Sequence, residues 1–161
     1  MSEPQSAPAS EAPLDDGYCI ACGPRSEIGL GMRFVEAPDG TVESRLEIPA
    51  RFQGWQGVVH GGIVAVLLDE AMAYAAGARG ALGVTAELRT RFRKPVPVGR
   101  PLVVRGSVAW ERRGVFGVAA SVAAEDGTIL AEGEGRFVTR GRIAPGARFA
   151  QLEPADGDGR T

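Results

Sequence analysis

An α+β domain, with an antiparallel sheet curled around a single helix, is the fold class that this chain predicts. Three observations lead there. The segment Gly61 to Ala76 is apolar almost all round, which marks a buried helix and not a surface one. The segments flanking it alternate apolar and polar side chains with the period of strands. No second helical pattern occurs, so runs of strands must supply the cover for that one helix.

Taken in order, Thr41 to Ile48 sets Val42, Ser44, Leu46 and Ile48 against Thr41, Glu43, Arg45 and Glu47, and Pro49 ends it. The helix follows, with Gly77 as its expected stop. At 1.5 Å per residue it is about 25 Å long, enough to run the length of a small sheet. Four strand signals come next: Val84 to Phe92, Leu102 to Trp110, Val115 to Ala124 and Thr128 to Val138. Pro95, Pro97 and Pro101 mark the connection after the first of these. Glu111 to Gly114 and Glu125 to Gly127 read as hairpin links, with Asp126-Gly127 suited to a type I′ turn. A helix without a wet face needs cover on more than one side. One sheet of this length supplies part of it, which argues for a second subunit in a two-fold dimer.

The 161 residues fit one domain, expected over 17–140, with aperiodic tails over 1–16 and 141–161. With 18 basic and 20 acidic residues the formal charge is −2, which argues against a nucleic-acid partner. Aromatics are only 6%, so Val, Ala, Leu and Ile must fill the core. Asp69 and Glu70 interrupt the most hydrophobic stretch, so no segment has the run of about 18 apolar residues that suggests a membrane span. The N-terminus lacks the basic and apolar regions of a secretory signal, and a cytoplasmic location without membrane attachment is expected. Cys19 and Cys22 form one C-x-x-C, read as packed free thiols. A zinc site would need four ligands, and the count of two cysteines and one histidine falls short, so neither metal nor cofactor is expected.

Two features carry possible chemistry. His60, the sole histidine, stands before Gly61 and Gly62 at the helix start. Backbone N–H groups there have no intrahelical partner and sit at the positive end of the helix dipole, where a carbonyl oxygen gaining negative charge is stabilised. Asp69 lies inside the apolar helix, where an unpaired carboxylate costs several kcal/mol. At 100° per residue it shares a face with Gly62, Ala65, Ala73 and Ala76, all small, whereas Glu70 lies with Ile63, Val66 and Leu67. Each feature alone has a bland reading: a structural ion pair for Asp69, a helix-start histidine for His60. Nine residues of helix span about 13 Å, so these two cannot grip one reacting atom in one chain. Either only one is catalytic, or a site joins the helix start of one subunit to the mid-helix of another.

The run from Phe52 to Met72, containing His60-Gly61-Gly62 with Asp69 nine positions after the histidine, resembles the hotdog-fold acyl-CoA thioesterases of the PaaI-like superfamily. The likeness extends from Cys19–Pro24 and Gly29-Leu30, through Val84–Leu88, to Lys94–Gly99. That resemblance implies a hotdog fold, a homodimer commonly paired into a tetramer, an acyl-CoA substrate and active sites shared across the subunit interface. It implies that the Gly61 N–H polarises the thioester carbonyl and that Asp69 of the other subunit acts as nucleophile or general base. His60 would polarise the carbonyl or orient the loop. Gln53 is the candidate for holding the lytic water or the carboxylate, and Thr85 for contacting the carboxylate or the water. By strict alternation Thr85 faces away from Val84 and Ala86, so a bulge or strand end is required to aim it inward. Further substrate contacts are expected from Gly62, Glu70 and Trp55, with Phe92 or Trp110 as other aromatic walls. Arg91, Arg93 and Lys94, within a cationic stripe that begins at Arg89 and has Arg100 nearby, are candidates for the coenzyme A phosphates or for a solvated strand face. Asp69 must be ionised for hydrolysis, so a hydrogen-bond donor to it is expected. Two alternatives stand beside hydrolysis: a hydratase or dehydratase of enoyl thioesters with the same fold, and a non-catalytic acyl-CoA-binding dimer.

Overall fold

The computed structural model describes residues 16–142. The tails expected over 1–16 and 141–161 lie outside these, apart from Asp16 and the end of the last strand. The elements are β1 (Val35–Glu36), β2 (Val42–Glu47), a 3-10 turn (Ala50–Phe52), α1 (Gly61–Ala78), β3 (Ala81–Phe92), β4 (Pro101–Arg112), β5 (Val115–Ala124) and β6 (Ile129–Arg142). All strands join one antiparallel sheet in the order β1-β2-β4-β5-β6-β3. The chain leaves α1 into β3, which among the described residues pairs with β6 alone and forms one edge of the sheet.

The helix lies across the inner sheet face, against Phe116, Val118, Ala120 and Val122 of β5 and Phe137 of β6. Leu68, Ala71 and Met72 form its sheet-facing ridge, and glycine lets that ridge sit close. A Cβ on Gly106 would collide with the Ala71 carbonyl oxygen, and one on Gly133 would crowd Leu68 at 3.3 Å. Small residues on the sheet thus set the depth at which the helix is buried.

Much of the remaining helix cover comes from the chain itself. Residues 17–34 run over α1, burying Ala21, Cys22 and Met32 in the same core, and the Phe34 ring stacks on Tyr74 with centroids 4.3 Å apart. From Leu67 to Ala78 all of α1 except Asp69 is therefore buried within one chain. The expectation that the whole helix needs a partner narrows to its first turns, where Gly61 and Gly62 are exposed and Ile63, Ala65, Val66 and Asp69 are half-buried.

Three local readings are corrected. Gly77 is buried inside the helix, and the stop is Gly80, whose φ of 78° ends the turn as its N–H donates to the Gly77 carbonyl. The type I′ turn sits at Arg113-Gly114, both with positive φ (51° and 75°). At Asp126-Gly127 only the glycine is left-handed, and its N–H donates to the Ala124 carbonyl, giving a wider loop followed by a register shift between Val122 and Ala123. The strict alternation read along β3 also fails. A register shift between Thr85 and Glu87 leaves Ala86 as the extra residue, so Val84 and Ala86 are exposed while Thr85 turns toward the helix.

Candidate active site

The helix start is built by a closed loop. The His60 N–H donates to the Phe52 carbonyl, Gln53 bridges Val59, and the Val59 N–H donates to the Val96 carbonyl, tying the loop to the segment after β3. Gly54 passes under His60, where a Cβ would lie 3.3 Å from the histidine Cα and Cδ2. His60 is the N-cap: its Nδ1 accepts from the Gly62 N–H at 2.9 Å. An accepting Nδ1 carries no proton, so the neutral ring holds its hydrogen on Nε2 and presents a donor there.

That cap leaves one donor over. The Ile63 and Val64 N–H groups go to the His60 carbonyl and that of Gly62 to Nδ1. The Gly61 N–H, on an exposed residue, has no acceptor among the described residues. It opens onto a groove of about 370 Å³ whose walls include Trp55, Val58, Phe92 and Lys94. Trp55 is 84% exposed, and a Cβ on residue 61 would meet the Phe92 ring at 3.4 Å. The missing side chain keeps the groove open down to the backbone.

Two and a half turns further on, Asp69 is half-buried and accepts a hydrogen bond of 2.6 Å from Thr85 Oγ1. The bulge at Ala86 is what aims that hydroxyl. Glu70, named with the substrate contacts, instead is 8% exposed and lies 3.9 Å from Cys19 Sγ, among the N-terminal cover. Burial and hydrogen bonding from Cys19, together with the charge of Glu70, push the Cys22 thiol well above its usual range, with Cys19 contributing most.

The other candidates divide. Gln53 Oε1 accepts from the Gly57 N–H at 3.2 Å, closing its own loop, and no bond joins it to Asp69. Arg93 and Lys94 border the groove at Gly61, with Arg93 also paired to Glu132 at 2.8 Å. Arg91 lines a different depression, beside Arg89 and Ser121 on the outer sheet face. Arg100 lies by Pro101 and Asp126. Trp110 covers Gly117 on that outer face, in a cavity with Arg136, so it does not wall the groove at Gly61. The framing of the groove by Pro95 and Val96 was missed from sequence, where the prolines signalled only a connection. Among the described residues His60, Gly61 and Gly62 cluster, and Asp69 and Thr85 cluster. About 13 Å of helix separates the two groups.

A six-stranded antiparallel sheet wrapped on one long helix, with a free N–H at the helix start and a hydrogen-bonded carboxylate on its flank, defines a hotdog domain equipped to handle a carbonyl group. Residues 56–131 match the pattern of the thioesterase superfamily. A crystal structure of a thioesterase superfamily protein is 30% identical with a TM-score of 0.73, over 76% of this chain and 63% of that one. The Escherichia coli PaaI protein, from the phenylacetic acid degradation operon, is 21% identical with a TM-score of 0.63, over 72% and 82%. A hypothetical thioesterase of Streptococcus pneumoniae TIGR4, solved with coenzyme A, is 17% identical with a TM-score of 0.66, over 70% and 91%. These last two show likeness of fold. No curated protein matches the sequence significantly.

Proposed function

We propose that the protein hydrolyses acyl-CoA thioesters at a site completed by two copies of the chain, with Gly61 of one and Asp69 of the other facing the same thioester. The observation that carries this reading is the Asp69–Thr85 pair, held at 2.6 Å on the helix flank that one chain leaves open. The Gly61 N–H of the same chain is about 12 Å along the helix from Asp69, and a second helix laid antiparallel would bring its glycine start alongside. The long β3 edge, with Val84 44% exposed and Phe92 exposed, offers that second copy a strand to pair with.

In this reading the Gly61 N–H and His60 Nε2–H donate to the thioester oxygen as it becomes negative. Asp69 either attacks the carbonyl carbon, giving a mixed anhydride that water hydrolyses after the thiolate has left, or takes a proton from water that attacks the carbonyl directly and passes it to the departing thiolate. By either route coenzyme A leaves, and the acyl group is released as the free acid. Thr85 fixes the carboxylate. Trp55 and Phe92 supply apolar walls, with Arg93 and Lys94 at the rim for the phosphates of coenzyme A, the ligand of the pneumococcal relative. Two further structures of that relative carry alanine in place of an aspartate and of a threonine sixteen residues later, the spacing of Asp69 and Thr85.

The test is incubation with a panel of acyl-CoAs and a thiol reagent. Hydrolysis releases free coenzyme A and a carboxylic acid, and Asp69→Ala abolishes both products. Binding without release, or hydration of an enoyl-CoA with the thioester intact, would overturn the reading.

A further inference from the structure

The turn that carries the C-x-x-C converges on the helix. Gly23 N–H donates to the Cys19 carbonyl at 2.8 Å, and the turn is too tight for any side chain at position 23, where a Cβ would fall 2.5 Å from Cys19 N and the Gly17 carbonyl. The fold of this turn points both sulfurs at Glu70. Cys19 Sγ, Cys22 Sγ and a Glu70 carboxylate oxygen all lie within 4.8 Å of one another, with Cys19 Sγ 3.9 Å from each Glu70 oxygen. The Ala21 N–H donates to Cys19 Sγ at 3.4 Å, a contact that orients the sulfur.

We propose that Cys19, Cys22 and Glu70 form a binding site for one thiophilic divalent cation of the zinc class, independent of the thioester chemistry. Zinc bonds to thiolate sulfur at about 2.3 Å and to carboxylate oxygen at about 2.0–2.2 Å, so tetrahedral coordination sets sulfur and oxygen about 3.6 Å apart. The observed 3.9 Å needs only a small side-chain adjustment to close on an ion. Counting ligands by residue type overlooked the site because it set Glu70, fifty-one positions from Cys19, among the substrate contacts. Three protein ligands leave a fourth position for water on the partly exposed Cys19 side. Binding displaces the thiol protons to solvent. The ion would staple residues 17–34 onto α1 one residue from Asp69.

The experiment uses the full chain, reduced and stripped with a chelator, then titrated with cobalt(II). The proposal expects thiolate-to-cobalt charge-transfer absorbance saturating at one ion per chain, its displacement by zinc, and a higher Tm with zinc bound. Cys19→Ser and Cys22→Ser remove the band, and Glu70→Gln weakens binding at least tenfold, with circular dichroism checking each fold. Absence of the band in the folded wild-type chain overturns the site, including the outcome in which the two thiols merely oxidise to a disulfide. Cobalt binding unchanged by Glu70→Gln also overturns it.

Discussion

The two halves of α1 are equally apolar in sequence and opposite in role. From Leu67 onward the helix is locked, its ridge pressed on glycines of the sheet and its back covered by residues 17–34. The first turns are open, and there the chain leaves a free N–H and a groove, while Asp69 is the one residue of the locked part that stays half-buried. Hydropathy cannot tell these halves apart, because both would pass as core. What separates them is which polar groups the fold leaves unspent.

The largest expected break of this contrast is Asp69→Asn, which keeps the size and removes the base. A loss of about 10³-fold in kcat is expected, within the usual range for general-base removal, with the melting temperature nearly unchanged. Gly61→Pro comes next. Proline is tolerated at the first helical position and lacks the N–H, and His60 already has the extended ψ of 136° that a following proline requires. Steady-state kinetics should show kcat lower by about 10²-fold or more in a protein that still folds. Thr85→Val should lower kcat by roughly 10-fold to 100-fold, matching a lost hydrogen bond to a charged acceptor, with KM little changed.

At the locked end the effect reverses. Gly106→Ala places a methyl group against the Ala71 carbonyl and should cost about 1–3 kcal/mol in denaturant unfolding, while the folded fraction keeps its kcat. The smallest effect is at the junction: His60→Ala should lose about 1 kcal/mol of capping, and His60→Asn should restore it. Recovery of stability without recovery of rate would sharpen the comparison by assigning the Nε2–H to the substrate.

Much of this contrast is legible in sequence. The apolar run marks the helix, the alternation marks the strands, and Gly62 and Ala65 mark the open side before Asp69, whereas Ala73 and Ala76 of the same stripe are buried. What pattern alone misses is tertiary. Gly77 reads as a stop, yet it packs inside the core. The bulge at Ala86 has no local signal, although the need for one follows from Thr85 being out of phase. Trp110 and Phe92 look alike as aromatics at strand ends, and only the sheet order puts one on the outer face and the other beside Gly61. Glu70 gives no hint of its thiol neighbours, because the N-terminal segment has no periodicity to announce where it docks.

The most direct test of the central claim mixes two inactive chains. Gly61→Pro and Asp69→Asn proteins are co-expressed in equal amounts, and the whole mixed population is assayed for acyl-CoA hydrolysis. A site shared between copies predicts that random pairing restores about a quarter of wild-type activity, since half the dimers then hold one intact site of two. A mixture no more active than its parents would contradict it.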